Sequence, residues 1–96
     1  MFDGNFKTSF MVDFSIAECF GMDAIKDTFN RAFNEWKNNY EYLTELVIVL
    51  NWKIWEWYEK NEEVARLYND LWEKADGYAC DTLEGEQAEY FFNMTD

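Results

Sequence analysis

The side chains in this 96-residue chain that could do chemistry are carboxylates: twenty Asp and Glu stand against eight Lys and Arg, and His is absent. Carboxylates can pass protons in pairs, hold hard cations such as Mg²⁺ or Ca²⁺, or present a negative field to a basic surface. The first two uses need patterns that are missing. Without His the commonest general base is gone, and neither Cys19 nor Cys80 can form a Cys-His nucleophilic pair. Gly4, Gly21, Gly77 and Gly85 stand singly, so no glycine-rich loop cradles a phosphate. No segment alternates acidic and amide ligands ahead of a glycine as an EF-hand does, and the Glu-x-x-His of di-metal bundles cannot occur. Paired carboxylates can cleave glycosides, yet a small bundle without an evident cleft is a poor host for that reaction. The expectation is a protein that is not an enzyme, with no catalytic residue, no metal site and no cofactor.

The third use fits the distribution of charge. Residues 69–96 carry eight acids against Lys74 alone, which is −7 of a formal net charge of −12. On a helical wheel Asp70, Glu73, Asp81 and Glu84 fall within about 80° of one another, opposite the apolar positions. They make a one-sided acidic stripe, with Asp76 beside it and Glu86 and Glu89 continuing it. Such a field repels phosphate backbones and anionic lipid, so direct nucleic-acid or membrane binding is disfavoured. It attracts basic proteins, many of which hold nucleic acid. The alternative is that the acidity serves solubility only.

The elements that must position this stripe follow from the apolar pattern. Hydrophobic residues make up 49% of the chain and aromatics 21%, enough for the core of one small domain, residues 1–96. Residues 43–58, LTELVIVLNWKIWEWY, form the organising segment. As a helix they put Leu43, Leu46, Val47, Leu50, Ile54, Trp57 and Tyr58 on one face, with Glu45, Lys53, Glu56 and Glu59 in polar gaps. Ile48, Trp52 and Trp55 form a second, narrower apolar stripe. It is either covered by the Phe-rich N-terminus or used as a subunit interface of a homodimer.

Around that helix, residues 1–14 hold Phe2, Phe6, Phe10 and Phe14 at intervals of four but also alternate, and Gly4, Asn5, Thr8 and Ser9 oppose helix. They read as an extended arm with room for one short strand. Asp13 or Ser15 would cap a short helix over residues 16–20, ended by Gly21 in the left-handed conformation. Asp23 would cap an amphipathic helix over residues 24–38, buried through Ile25, Phe29, Ala32, Phe33 and Trp36. Asn61 would cap the most regular helix, buried through Val64, Leu67, Tyr68, Leu71, Trp72, Ala75, Tyr78 and Ala79, with Gly85 breaking the run. A last short helix over residues 86–93 would set Ala88, Phe91 and Phe92 against the body. The predicted fold is mainly α: a compact bundle of three main helices plus short terminal helices and the arm.

Two cysteines so far apart suggest reduced, partly buried thiols. No basic stretch leads into an apolar one at the N-terminus, and the longest apolar run, residues 46–50, falls far short of the ~20 residues of a membrane span. A soluble, cytoplasmic protein is expected.

The stretches DGNFKTSFMVDFSIAECFG, AIKDTFNRAFNEWK and YLTELVIVLNWKIW, with the helix ending YAC and the acidic tail, resemble a group of small acidic, uncharacterised accessory proteins carried by conjugative transposons and related mobile elements. The resemblance spans essentially the whole chain and transfers no catalytic or binding residue; Met11 stands where it would place Trp. It implies a setting in which restriction enzymes and RNA-guided nucleases oppose the element, and small acidic inhibitors of both are familiar cargo. The resulting expectation is a non-enzymatic inhibitor whose acidic helix face acts as a nucleic-acid mimic and blocks a basic nucleic-acid-binding defence protein. The alternative is an accessory homodimer joined through Ile48, Trp52 and Trp55.

Overall fold

Two asparagines set the starts of the two longest helices. In the computed structural model, which describes residues 6–95 except for the side chain of Phe6, Asn39 accepts from the backbone N–H groups of Glu41 and Tyr42 at 3.1 and 3.3 Å. Asn61 accepts in the same way from Glu63 and Val64 at 3.0 and 3.4 Å. Each satisfies donors that the first turn leaves without a partner, worth about 1 kcal/mol. The order is α1 (Phe6–Glu18), α2 (Met22–Trp36), α3 (Tyr40–Trp57), α4 (Glu62–Thr82) and α5 (Glu86–Thr95). No strand occurs among the described residues.

The N-terminal segment departs from the expected arm: from Phe6 onward it is helical. The interval of four prevails over the alternation because Phe10, Phe14 and Ala17 share one buried face of α1. The rest of the arm, with Phe2, lies outside the described residues. Asp13 and Ser15 therefore sit inside α1 and cap nothing. Gly21 has φ 118° and ψ −179°, a positive-φ conformation close to exclusive to glycine but not the left-handed helical one expected of it. It, and not Asp23, holds the N-cap position of α2, and its carbonyl accepts from the Ile25 N–H at 3.3 Å.

α3 runs through the middle and packs against all four other helices. Leu43, Leu46, Val47 and Leu50 are buried as expected, but so are Thr44, Glu45, Val49 and Lys53. The second covered side of α3 is thus the row Glu45, Val49, Lys53, and α1 lies on it. Ile54 and Trp57 are half-buried and Tyr58 is exposed. From α4, Val64, Ala65, Leu67, Tyr68, Leu71, Ala75 and Ala79 complete the core. Trp72 and Tyr78 remain half-buried. α5 contributes Phe91 and half-buried Ala88, whereas Phe92, expected against the body, is 52% exposed. The edge-to-face pair Phe14 and Tyr68, 5.7 Å between centroids, ties α1 to α4. The Cα radius of gyration, 12.8 Å, is that of a compact domain, about 13 Å for 100 residues.

Candidate functional site

The acidic stripe is exposed where α4 positions it. The apolar face of α4 is consumed by the core, so the opposite face has no neighbour: Asp70, Glu73 and Asp81 are exposed on it, with Glu84, Glu86 and Glu89 exposed where the chain passes into α5. Asp76 is half-buried, and burial raises its carboxyl pKa against the lowering effect of a Cys80 contact. Burial and the Asp76 and Asp81 charges also raise the Cys80 thiol, so its thiolate is disfavoured as a nucleophile.

None of these seven acids forms an ion pair among the described residues. Glu73 accepts a hydrogen bond from Asn69. The one base in this part of the chain is diverted, since the Lys74 ammonium lies 5.9 and 5.8 Å from the ring centres of Phe29 and Phe33. Arg66 pairs with Glu62 at 3.0 Å, one turn before the stripe. From Asp70 to Asp81 the helix rises ~16 Å, so the exposed Asp70, Glu73 and Asp81 provide one carboxylate per ~8 Å. A single DNA strand carries a phosphate per ~3.4 Å of axis. The stripe is thus a much sparser line of negative charge.

The tryptophan stripe is also at the surface. Trp52 is 45% and Trp55 68% exposed, with Tyr58 beside Trp55 at 5.9 Å between ring centres, while Ile48 is half-buried. Of the phenylalanines expected to cover it, Phe10 and Phe14 are in the core, and Phe2 and the Phe6 side chain lie outside the described residues. Instead the Lys7 ammonium sits 5.7 Å from the Trp52 ring centre.

A third group of polar residues has no counterpart in the expected site. Lys53, placed by the sequence in a polar gap, is completely buried. Its ammonium meets Glu18 Oε2 at 3.0 Å, Ser15 Oγ at 3.1 Å and Glu56 Oε2 at 3.4 Å. The same Glu18 oxygen accepts from the Tyr68 hydroxyl at 2.5 Å and the Trp57 indole N–H at 2.8 Å. Burial first, and the Glu18 hydrogen bond second, push the Tyr68 hydroxyl pKa far up, so it stays a donor. A lysine beside a serine invites comparison with Ser-Lys hydrolases, but here the Lys53 nitrogen donates to Ser15 Oγ and to Glu56 and is ion-paired with Glu18. The lysine is the donor in its contact with the serine, the reverse of what a general base needs. The network ties α1, α3 and α4 together.

One signal for it was present in the sequence. Lys53 lies three and four positions after Leu50 and Val49 and four before Trp57, and Glu18 lies four after Phe14. A charge recurring at core spacing marks a buried partner in want of an opposite charge.

Glu45, also placed in a polar gap, is 3% exposed. Lys7 approaches its Oε2 at 3.6 Å, and that oxygen accepts no hydrogen bond. Burial raises the Glu45 carboxyl pKa and Lys7 partly offsets this. No group of three or more His, Cys, Asp or Glu among the described residues could hold a metal ion, and no described helix is long and apolar enough to cross a membrane.

The chain matches no protein family, no curated protein and no solved structure.

Proposed function

We propose that the protein acts by binding, through the exposed face of α4 and its continuation into α5, a basic protein surface that otherwise holds nucleic acid. The observation that carries this reading is the row Asp70, Glu73 and Asp81 on α4, followed by Glu84 past the helix end, all exposed and without an ion pair among the described residues, while Lys74 beside it is turned onto aromatic rings. An acidic face kept only for solubility gains by interspersing both signs. Uncompensated charge in a line costs self-repulsion, which a basic groove relieves on binding. The resemblance to accessory proteins of mobile elements supplies a setting, in which restriction and RNA-guided nucleases are suitable targets.

The test is capture from nuclease-treated bacterial lysate on immobilised protein, followed by elution with short duplex DNA, beside a variant with Asp70, Glu73, Asp81 and Glu84 each replaced by Lys. Mimicry predicts nucleic-acid-binding proteins that DNA displaces, that modest salt releases, and that the variant fails to retain. The same proteins held by both forms, or held against excess DNA, would refute it.

A second reading has its own observation in exposed Trp52, Trp55 and Tyr58: an aromatic patch of this kind anchors interfaces, here that of a homodimer. Sedimentation of a Trp52→Ser/Trp55→Ser double variant decides it. A dimeric mass in the wild type that halves in the variant supports this reading, and a monomeric wild type rejects it.

A further inference from the structure

A groove of about 540 Å³ separates α1 from α2, remote in sequence from the acidic face of α4. Its floor is made of small side chains, Ala17 from α1 and Ala24, Thr28 and Ala32 from successive turns of α2. Small residues there keep the two helices from closing the space with their own side chains. One wall is apolar and open to solvent: Ile16 is 55% exposed and Phe20 78%. The other is a row of charges of alternating sign, Asp27, Arg31 and Glu35, four positions apart on α2, and Asp13 stands on the α1 side. None of these four forms an ion pair among the described residues. From Ala24 to Trp36, which closes one end, the groove follows α2 for ~18 Å, more than three helical turns.

From this we infer that the α1–α2 groove is a second binding site, and that it takes one amphipathic helix of a partner protein with basic overall charge. Its apolar row lies on Ala24, Thr28 and Ala32 and against Ile16 and Phe20. A flanking row of basic, acidic, basic residues at four-residue spacing faces Asp27, Arg31 and Glu35. The minus, plus, minus order is the same from either end, so charge fixes the register of the incoming helix and leaves its direction to shape. Three acids against one base around the groove select a basic helix and reject an acidic one. A second copy of this chain is a poor occupant. α4 does carry Arg66, Asp70 and Lys74 at this spacing, but none of the exposed large apolar side chains lies on α4, so it has nothing to fill the floor. This site does not rest on the reading of the α4 face, and the experiment separates the two.

The probe is a synthetic amphipathic peptide of about four helical turns, with a leucine row and a flanking Lys, Glu, Lys row at four-residue spacing. Binding is followed by fluorescence anisotropy and by amide chemical shifts. The inference predicts shifts at Ile16, Ala24, Thr28 and Ala32, and an affinity that falls about tenfold or more in Asp27→Lys/Glu35→Lys, both exposed positions. Thr28→Trp, which fills the floor, abolishes binding; if that variant fails to fold, the charge-reversed variant decides the matter. The variant with Lys at positions 70, 73, 81 and 84 retains binding within about threefold. Loss of binding in that last variant, equal binding by Asp27→Lys/Glu35→Lys, self-association through the groove, or no binding of the probe at millimolar concentration would each overturn the inference.

Discussion

The carboxylates of α4 and those facing the α1–α3 contact are the same chemical group used in opposite ways. Asp70, Glu73 and Asp81, with Glu84 just past the end of α4, stand in water without an ion pair among the described residues. Glu18 and Glu45 are withdrawn from water, and each meets a lysine: Glu18 of α1 meets Lys53 of α3 at 3.0 Å, and Lys7 of α1 meets Glu45 of α3 at 3.6 Å. The polarity of the two pairs is reversed between the helices. Turning α1 end for end would oppose Lys7 to Lys53 and Glu18 to Glu45, so the buried charges specify how α1 lies on α3 at some cost in desolvation. An apolar contact of the same area would hold α1 without choosing its direction. The exposed acids specify nothing inside the fold and remain available to an outside surface.

Substitutions can break this contrast, the strongest at its buried end. Lys53→Met leaves Glu18 without its cation, and the expected loss is about 3–5 kcal/mol in urea denaturation. Adding Glu18→Gln to that variant should recover part of the loss, and a single-variant loss below about 1 kcal/mol would mean that the pair does not hold α1 in place. Next comes Tyr68→Phe, which removes one donor to Glu18 and keeps the ring against Phe14. About 1.5–3 kcal/mol is expected, the range for hydrogen bonds to charged groups. A neutral result would show that water takes over as donor.

Glu45 gives a smaller effect with a pH signature. Its carboxyl is raised by burial, so the folded state binds that proton more tightly than the unfolded chain does. Stability from this group is therefore complete below the ordinary carboxylate range and is lost as pH rises through the raised value. Lys7 opposes the loss, whereas Glu41, which with Glu45 raises the nearby Tyr90 hydroxyl, adds to the local negative charge. Glu45→Gln should gain on the wild type as pH climbs from the carboxylate range toward neutrality, read from denaturation midpoints across that interval. A difference independent of pH would contradict the assignment. Smallest of all, Glu73→Gln and Asp81→Asn should each change stability by no more than about 0.5 kcal/mol. Both should weaken partner capture, and a stability loss above 1 kcal/mol would place these residues on the wrong side of the comparison.

How much of this was legible varies by residue. Asn61 followed by Glu62 and Glu63 announced the start of α4, and the run from Val64 to Ala79 its buried face, because capping and a 3.6-residue period are local properties. The same wheel sets Asp70, Glu73 and Asp81 on the exposed face, but it does not reach Glu84, because α4 ends at Thr82 and Leu83 is extended. α1 was not legible, since intervals of four and of two coexist in its phenylalanines and only packing against α2 and α3 selects helix. The burial of Lys53 was missed for a related reason. Its spacing was visible, but its neutralising partner arrives from α1, with Glu18 binding Trp57 and Tyr68 across 39 and 50 positions of chain.

The sequence by itself determined that this is a mainly helical chain, with more than half of its net negative charge in residues 69–96, because helix propensity, capping and periodicity act between near neighbours. Only the tertiary structure decided that Glu45 and Lys53 are inside while Trp52 and Trp55 are outside. All four lie on α3, apolar surface and charge alike, and which side is covered depends on where α1 docks. That choice is made by ion pairs and ring contacts between residues distant in the chain, which no local pattern encodes.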